Sequence, residues 1–379
     1  MRIAVPRETW PGERRVALVP ESCKRLAGSG AEILVESGAG AEAYFPDSAY
    51  APAGARLLED REPLLAAADL VLKVQPPTPE EIALMKSGAM LLTTLMPTRH
   101  LGAVRAMLAH GITSFATDCI PRITRAQAMD TLSSMANITG YKGVLIAASE
   151  LPKYFPMFMT AAGTVFPARV FVVGAGVAGL QAIATARRLG ASIFATDVRP
   201  EVKEQIESVG GKYVGVQLKE GAATAGGYAR QLSEGDRERQ RELLAEQCAA
   251  ADVVISTALV GGVFAPKLIS GEMVSRMRPG SLIVDLAADG GGNCVLSRPG
   301  ETVIENGVKI VAPLNLPSTM PLHASTLYSR NLTAFVTAFW KNQAFHLDWD
   351  DPILCGAVVT HAGEVRHEAT REALEKAGG

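Results

Sequence analysis

A polar segment, PRITRAQAMDTLSS at residues 121–134, brings four kinds of hydrogen-bonding side chain together. They are a cation, an amide, a carboxylate and a hydroxyl, on Arg122, Gln127, Asp130 and Ser133. Residues three and four apart are neighbours on a helix surface, so Gln127 and Asp130 would share one face. Such a face could clamp a carboxamide and its ribose or phosphate, which is what the nicotinamide end of a dinucleotide needs.

Helix capping is the alternative use of the same segment. Thr124 and Gln127 have the spacing of a capping box, in which both side chains bond backbone N–H groups at a helix start. Capping accounts for these two residues but leaves Arg122 and Asp130 without a role. The spacing alone therefore leaves both nicotinamide binding and helix capping open.

A glycine fingerprint lies in VFVVGAGVAG, where Gly174, Gly176 and Gly179 have the spacing G-x-G-x-x-G. The first glycine permits a tight turn, the second lets the backbone approach a pyrophosphate, and the third allows close packing of helix on strand. The helix start offers free N–H donors to the phosphates. A strand pattern before it and a helix pattern after it favour a dinucleotide site over a structural turn.

Asp197 ends the next predicted strand, 18 residues after Gly179. That distance is typical of the carboxylate that binds the adenosine ribose hydroxyls, and its charge would repel a 2′-phosphate. The sequence therefore favours NAD over NADP. Arg199 is ambiguous, because it could be an exposed charge or a contact of the cofactor.

Short apolar runs alternate with helical patterns along residues 2–118, which predicts a parallel sheet with helical crossovers. The predicted strands are RIAVP, AEILVES, DLVLKV, AMLLTTL and ITSFATD, and the predicted helices are PESCKRLAGSG, TPEEIALMKSG and PTRHLGAVRAMLAHG. A long helix follows from about Thr124 to Glu150. After it, the prolines of LPKYFPMFMTAAGTVFP predict a loop without regular structure.

A second α/β unit begins at the glycine fingerprint and continues through four apolar runs, KYVGV, ADVVISTAL, GSLIVDLAA and VKIVAPLNLP. The helical pattern ASTLYSRNLTAFVTAFWKN would then return the chain to the first domain. The sequence thus predicts an α/β fold with two Rossmann-like domains, whose parallel sheets are separated by a cleft. The first domain comprises residues 1–135 and 320–379, and the NAD-binding domain residues 136–319.

The composition excludes several classes of protein. With 37 basic and 39 acidic side chains and no basic stripe, the 379-residue chain is not expected to bind nucleic acid. Five cysteines without a CxxC pair and six scattered histidines predict no metal site and a reducing, cytoplasmic environment. We expect His361 and His367 to be solvated in a polar tail. No 18-residue apolar run is present, so no membrane span is predicted.

The segment QLKEGAATAGGYARQLSEGDRERQ is a long predicted loop before a helix near residues 236–248. Loops of this length without their own structure are often lids or binding loops. Gly226 and Gly227 could act as a hinge, and Tyr228 could pack over a bound nucleotide. A surface insertion is the alternative.

Over essentially its whole length the chain closely resembles the NAD(H)-binding domain of proton-translocating NAD(P) transhydrogenases. The resemblance rests on PRITRAQAMDTLSSMANITGYKGV, VFVVGAGVAGLQAIATARRLGA, TDVRPEVKEQIES, GGYARQLSEG, GSLIVDLAADGGGNC and NLPSTMPLHASTLYSRNL. The RAQxMDxLSSMANI segment and the GGYA loop are more specific to this family than the glycine fingerprint.

The resemblance implies a role for each segment. It places the nicotinamide among Arg122, Gln127, Asp130 and Ser133, beside the backbone of Ile123, Thr124, Ala128 and Met129. It places the pyrophosphate and adenosine on Val177, Ala178, Gly179, Asp197, Val198 and Arg199. It assigns Gly227, Tyr228 and Gln240 to a mobile lid and Leu259 to the pocket wall. Gln127 would reach toward the second nucleotide.

The activity implied is direct hydride transfer from NADH on this chain to NADP⁺ on an NADP(H)-binding partner subunit. It is coupled to proton movement through a membrane-spanning proton-channel subunit. The chain would be a homodimer, with its final helices as a candidate interface, associated with the inner face of the cell membrane. One departure is that VGGVFAPKLIS replaces the family's usual Pro-Gly-Lys, which puts the loop at Val260–Val263 in question.

Alanine dehydrogenase is the rival resemblance, with the same fold. Arg15 and Lys73 match its substrate-carboxylate and catalytic positions, but Met96 stands where that family carries a catalytic histidine. A thioether cannot relay a proton, so oxidative deamination is disfavoured and the two cations are better interpreted as structural. A non-catalytic NAD-sensing protein stays open, whereas the 121–134 segment argues against a saccharopine-type dehydrogenase.

Overall fold

A computed structural model of the chain describes residues 1–215, 234–259 and 265–378. They form two compact units, one of Met1–Met135 with Pro317–Gly379 and one of Ala136–Leu316. Each unit has its own hydrophobic cores.

The first unit is built around one eight-stranded sheet. Its strands are β1 (Arg2–Val5), β2 (Glu32–Glu36), β3 (Ala55–Leu58), β4 (Leu70–Leu72), β5 (Met90–Thr93), β6 (Thr113–Ala116), β18 (Val358–His361) and β19 (Glu364–Val365). Its helices are α1 (Pro20–Gly28), α2 (Asp47–Tyr50), α3 (Arg61–Ala67), α4 (Pro79–Leu84), α5 (Leu101–Ala109), α11 (Pro321–Ala338), α12 (Pro352–Ala357) and α13 (Glu368–Gly378). A short hairpin adds β16 (Trp340–Lys341) and β17 (Ala344–Phe345).

The strand order of this sheet is β3-β2-β1-β4-β5-β6, followed by β18 and β19 at one edge. The first six strands are parallel, and β18 and β19 pair antiparallel. Along β1, Ile3 and Val5 join one core and Ala4 joins the other. Burial on both faces explains why these strands are continuous apolar runs. The order is that of a Rossmann-like fold.

The second unit contains a seven-stranded sheet and an exposed hairpin. Its strands are β7 (Phe158–Thr160), β8 (Gly163–Val165), β9 (Arg169–Val173), β10 (Ser192–Thr196), β11 (Lys212–Tyr213), β12 (Val253–Ser256), β13 (Leu282–Asp285), β14 (Thr302–Glu305) and β15 (Val308–Val311). Its helices are α7 (Val177–Arg188), α8 (Val202–Ser208), α9 (Glu234–Ala250) and α10 (Gly271–Ser275). The helix α6 (Thr131–Glu150) begins in the first unit and continues here.

The strand order of the second sheet is β11-β10-β9-β12-β13-β15-β14. All its strands are parallel except β14, which pairs antiparallel with β15. The order reverses between β9 and β12, and ligands of open α/β sheets bind at the carboxyl ends of strands beside such a switch point. The predicted fold class of two Rossmann-like, mainly parallel α/β units is confirmed.

Three local predictions are wrong. The expected helix from Thr124 is divided into a 3₁₀ turn, Thr124–Met129, and α6. The residue preceding this turn is Ile123, and no side chain caps it, so there is no capping box at Thr124. The segment expected to be an irregular loop contains the β7–β8 hairpin, because Pro152, Pro156 and Pro167 all lie outside the strands.

The C-terminal segment is also better ordered than expected. His361 belongs to β18, and its Nδ1 lies 3.1 Å from Thr113 Oγ1. His367 Nδ1 lies 2.7 Å from Thr370 Oγ1 at the start of α13. Both imidazoles are half-buried, so they are not simply solvated. In the described parts of the chain, no helix combines the length and apolar character needed to cross a membrane.

Candidate functional site

The 3₁₀ turn Thr124–Met129, called the site turn below, carries the polar segment of the first unit. Ala126 and Met129 are 2% and 5% exposed and pack into the core. Residues three apart lie on the same side of a 3₁₀ helix, so these two side chains anchor one side of the turn. Gln127 and Ala128 are exposed on its other side. Among the predicted contacts Arg122, Ile123 and Thr124 are exposed as well, whereas Met129 is buried.

Asp130 lies between the site turn and α6 and holds Ser133. Its Oδ1 accepts the backbone N–H of Ser133 at 2.8 Å, and its Oδ2 accepts the Ser133 hydroxyl at 2.6 Å. A side-chain acceptor for a free N–H of the first turn is an N-cap. Asp130 therefore caps α6, and the two polar groups expected at the nicotinamide are brought together.

A chain of buried hydroxyls fixes the start of α6, and the sequence analysis did not identify it. Thr131 donates to Thr117 over 2.9 Å, and Thr117 lies 3.0 Å from the Thr94 hydroxyl. Thr94 is in turn 3.0 Å from the hydroxyl of Tyr328 on α11. Burial raises the pKa of Tyr328 to about 12, although its bond with Thr94 lowers it, so this hydroxyl stays protonated.

The glycine turn, Gly174–Gly179, joins β9 to α7 in the second unit. Gly174 has a φ of +91°, which only glycine adopts readily. A Cβ on Gly179 would collide with the Gly174 carbonyl oxygen, so the helix packs closely on the strand end. A Cβ on Gly176 would meet nothing within 4 Å. The backbone at Gly176 is thus open to a ligand, as a pyrophosphate site requires.

Two further polar residues shape the strand ends beside the glycine turn. Thr257, directly after β12, donates its hydroxyl to the Gly174 carbonyl at 2.9 Å. Asn293 accepts the Ala258 N–H at 2.9 Å and donates to the Ala258 carbonyl at 2.8 Å. These bonds fix the segment that ends in the exposed Leu259. The GGGNC motif contains Asn293, but sequence reasoning gave this residue no role.

Asp197 and Arg199 form an ion pair after β10. The Asp197 carboxylate also accepts the N–H of Ala175 in the glycine turn at 2.8 Å. The hydrogen bond with Asp197 raises the pKa of Arg199, which therefore stays charged. Arg199 is half-buried and Asp197 engages it on two nitrogens, so it is not a fully exposed charge.

The other residues predicted to contact the cofactor lie in different surroundings. Val177 is exposed at the start of α7, Ala178 lies against Gly140 of α6, and Val198 is half-buried. Gln240 is half-buried on α9. Gly227, Tyr228 and the loop at 260–263 lie outside the described residues. Within the described part, no cluster of His, Cys, Asp or Glu is suited to a metal ion.

The two cations that the sequence resemblance matched to alanine dehydrogenase positions are paired with carboxylates of the chain. Arg15 bonds Glu13 through Nε at 2.7 Å and Nη2 at 2.6 Å. Lys73 Nζ lies 3.0 Å from Glu81 Oε1 and 3.3 Å from Glu8 Oε2. All five side chains are almost fully buried. The pairs give both cations a structural role.

Met96, which the sequence resemblance placed at the position of a catalytic histidine, has an unusual backbone conformation. Its φ is +43°, and its N–H donates to Asp118 Oδ2 at 3.0 Å. The preceding residue, Leu95, donates its N–H to Asp118 Oδ1 at 2.7 Å. Burial raises the pKa of Asp118 in spite of these two bonds. Asp118 thus holds the backbone of this segment, and Met96 presents a thioether that cannot transfer a proton.

Comparisons with known proteins agree with this architecture. The sequence models described as alanine dehydrogenase/PNT, N-terminal domain and C-terminal domain, match residues 4–139 and 143–368. A Rhodospirillum rubrum protein, named as the first section of an NAD(P) transhydrogenase alpha subunit, is 46% identical over 378 residues. The match covers 97% of this chain and 98% of that protein.

Two solved structures share the fold along nearly the whole chain. A transhydrogenase from Sinorhizobium meliloti has a TM-score of 0.85 and 41% identity, covering 97% of this chain and 100% of its own. An L-alanine dehydrogenase has a TM-score of 0.83 and 25% identity, covering 99% of both chains. The resemblance inferred from the motifs is thereby confirmed: the chain belongs to the alanine dehydrogenase/PNT family.

Proposed function

We propose that this chain is the NAD(H)-binding subunit of a proton-translocating NAD(P) transhydrogenase. It passes hydride from NADH to NADP⁺ held by a partner subunit. The observation that carries the proposal is the site turn, which holds its apolar side chains in the core and exposes Gln127 beside Asp130. The 46% identity to a transhydrogenase alpha subunit supports the same function.

The second unit fits the pyrophosphate and adenosine of NAD(H). Gly176 leaves its backbone open, and α7 begins there without a side-chain cap, so its first N–H groups can receive phosphate oxygens. Asp197 lies at the adjacent strand end, where the ribose hydroxyls are bound in dinucleotide folds. Val177, Ala178 and Val198 line the same strand ends. Gly227, Tyr228 and Gln240 are assigned to a lid, and Leu259 to the pocket wall.

The first unit fits the nicotinamide. Arg122, Gln127, Asp130 and Ser133 would surround the ring, with the backbone of Ile123, Thr124, Ala128 and Met129 beside it. The nicotinamide, when bound, supplies the hydride. Transfer from one ring to another releases no proton from substrate, so these residues need not act as acid or base. They bind the carboxamide and ribose, orient the ring and exclude water.

Alanine dehydrogenase activity is the second candidate, supported by the shared fold and by Arg15 and Lys73. Two observations disfavour it. Met96 cannot serve as a proton relay, and Glu13 occupies two of the donor groups on Arg15.

Oxidation of NADH by the purified chain separates the two activities. One reaction receives an NADP(H)-binding partner subunit loaded with NADP⁺, and the other receives pyruvate and ammonium. We expect oxidation only with the partner subunit. Oxidation with pyruvate and ammonium would establish alanine dehydrogenase instead, and NADH binding without turnover in either reaction would leave an NAD sensor.

The assembly proposed has three components: this chain, the NADP(H)-binding subunit and a membrane-spanning proton-channel subunit. The chain would reside in the cytoplasm, peripherally attached to the inner face of the cell membrane. Co-sedimentation with membrane vesicles that contain the channel subunit tests this location. Retention on vesicles without that subunit would contradict it.

A homodimer is proposed on the β7–β8 hairpin, which exposes several large apolar side chains. Met159 and Phe166 are 73% and 72% exposed, and Tyr154 stacks on Phe158 at a ring distance of 5.4 Å. Contiguous exposed apolar surface of this kind marks protein interfaces. Sedimentation of Phe166→Glu should shift toward monomer, whereas Ile304→Glu, at an exposed position on β14, should not. If the Phe166→Glu variant remained a dimer, the interface would lie elsewhere, such as on the final helices.

A further inference from the structure

Asn331 lies on α11 and reaches the site turn. Its Nδ2 donates to the carbonyl oxygen of Ala128 at 2.8 Å, across 203 residues of sequence. Backbone bonds close the two ends of this 3₁₀ turn, from the Ala126 N–H to the Ile123 carbonyl at 2.9 Å and from the Asp130 N–H to the Gln127 carbonyl at 3.3 Å. No side chain caps the turn at Ile123. The bond from Asn331 adds a side-chain attachment from a distant helix to the carbonyl of Ala128.

The chemistry of the amide sets its orientation. A carbonyl only accepts hydrogen bonds, so Nδ2 and not Oδ1 must face Ala128. Oδ1 then points into the protein, where Asn331 is 8% exposed, and no donor reaches it among the described residues. A buried acceptor without a partner costs stability. An apolar side chain would avoid this cost.

The bond does more than satisfy the Ala128 carbonyl. A water molecule can also hydrogen-bond a carbonyl oxygen, but it does not supply a fixed direction. The amide ties the peptide that follows Ala128 to a rigid 18-residue helix, and Gln127 precedes this residue directly.

The same helix holds other loops by equivalent bonds. Ser329 accepts the N–H of Val19 at 3.0 Å, and Ser325 accepts the N–H of Val16 at 3.0 Å. Tyr328 accepts the N–H of Thr94 at 3.0 Å. Ser329 is buried like Asn331 but holds a segment that is distant in sequence from the site turn. It therefore offers a matched control.

We infer that Asn331 is a positioning residue for nicotinamide binding, because it fixes the Ala128 carbonyl and with it the direction of Gln127. This inference rests on the proposed function of the site turn. Without the amide, the peptide that follows Ala128 has more orientations open to it, and binding the nicotinamide must select one of them. This selection weakens binding of the nicotinamide half of the ligand and leaves binding of the ADP-ribose half unchanged.

Binding of NADH and of ADP-ribose, which lacks the nicotinamide, tests this inference. Both affinities are measured by calorimetry for the wild type, Asn331→Leu and Ser329→Ala, after thermal unfolding has shown that each variant is folded. For Asn331→Leu we expect NADH to bind about tenfold more weakly, with ADP-ribose unchanged. Ser329→Ala should lose thermal stability but keep both affinities. Asn331→Ser, whose side chain is too short to reach Ala128, replaces the leucine variant if that does not fold.

Each of the other possible outcomes would overturn the inference. Equal losses for NADH and ADP-ribose, or the same loss in Ser329→Ala, would show a general structural role and overturn the inference. An unchanged NADH affinity in both Asn331 variants would overturn it too. If the wild type itself bound NADH and ADP-ribose equally, the site turn would not contact the nicotinamide. The proposed role of the turn would then fail first, and the role of Asn331 with it.

Discussion

The guanidinium of Arg199 lies side-on to the carboxylate of Asp197, with Nε 2.9 Å from Oδ1 and Nη2 2.9 Å from Oδ2. The two parallel bonds form a bidentate pair, the strongest arrangement these groups adopt. The carboxylate that would bind an adenosine ribose is thus held by the cation that could otherwise receive a 2′-phosphate. We expect the choice between NAD and NADP to depend on this pair and not on Asp197 alone.

We predict that Asp197→Ala reverses part of the coenzyme preference. The variant loses a charged acceptor for the ribose hydroxyls, so NADH should bind at least about tenfold more weakly. Arg199 is released from its partner and can contact a 2′-phosphate, so NADPH should bind about tenfold more tightly than it does to the wild type. Fluorescence titration of both coenzymes measures the two changes.

The double variant Asp197→Ala/Arg199→Ala is the control for this prediction. It should keep the weakened NADH binding and lose the gain for NADPH. If the double variant bound NADPH as well as the single one, Arg199 would not be the phosphate contact. If Asp197→Ala left NADH affinity unchanged, Asp197 would not contact the ribose.

A second prediction separates the two glycines of the glycine turn by what they do. An alanine at Gly179 places its Cβ against the Gly174 carbonyl, so Gly179→Ala should destabilise the protein by about 3 kcal/mol. An alanine at Gly176 meets open space at a φ of −73°, so the fold should tolerate it. The same methyl group would obstruct a pyrophosphate, and NADH affinity should fall about tenfold or more.

Thermal unfolding and NADH titration of the two variants, side by side, give the result. Gly176→Ala should unfold at the wild-type temperature and bind weakly, and Gly179→Ala should unfold at a lower temperature. Wild-type affinity in Gly176→Ala would show that the pyrophosphate does not approach this backbone. The dinucleotide site would then have to be sought elsewhere.

The periodicity of the sequence was sufficient to predict most of the parallel strands in the two sheets. Strands buried on both faces, such as β1 and β9, are uninterrupted apolar runs, and the G-x-G-x-x-G spacing marks the turn after β9 directly. The strands β3 and β18 were not predicted; β3 is an edge strand that is only partly buried, and β18 lies beside the other edge of the first sheet, where it pairs antiparallel with β6. Local patterns are weak where few neighbours contribute to burial.

The candidate site could be proposed from the sequence as a set of residues but not as a set of contacts. The cluster at 121–134 showed which groups come together, whereas the partners that hold them come from distant segments. Tyr328 reaches Thr94 across 234 residues, and Asn293 reaches Ala258 across 35. A capping box at Thr124 was a reasonable interpretation of local spacing, but Asp130 is a better N-cap and moves the helix start to α6.

The buried pair of Glu13 and Arg15 predicts how stability depends on pH. Burial alone would raise the pKa of Glu13, but the charge and hydrogen bonds of Arg15 dominate and lower it from 4.5 to about 2. A carboxyl with a depressed folded-state pKa stabilises the protein above its unfolded pKa, and this contribution is lost as the pH falls from about 4.5 to about 2. The contribution is about 3 kcal/mol.

Urea unfolding at several pH values checks this, with Glu13→Gln as the variant and Glu42→Gln as the control. Glu13→Gln removes the carboxylate charge that pairs with the buried Arg15, so it should lose about 3–5 kcal/mol near neutral pH and depend less on pH below 4.5. Glu42 pairs with Arg14 at the surface, and its variant should behave as the wild type. Identical pH profiles for the two variants would contradict the prediction.

Asp130 has two separable tasks, and two substitutions distinguish them. The side chain introduced by Asp130→Asn can still accept the Ser133 N–H, because asparagine caps helices as well as aspartate, so this variant should keep its stability. Asp130→Ala loses the cap and about 1 kcal/mol. If the carboxylate also orients the nicotinamide, both variants should slow hydride transfer to the NADP⁺-loaded partner about tenfold. Stopped-flow transfer at saturating NADH measures this rate. A wild-type rate in Asp130→Asn would reduce Asp130 to a helix cap.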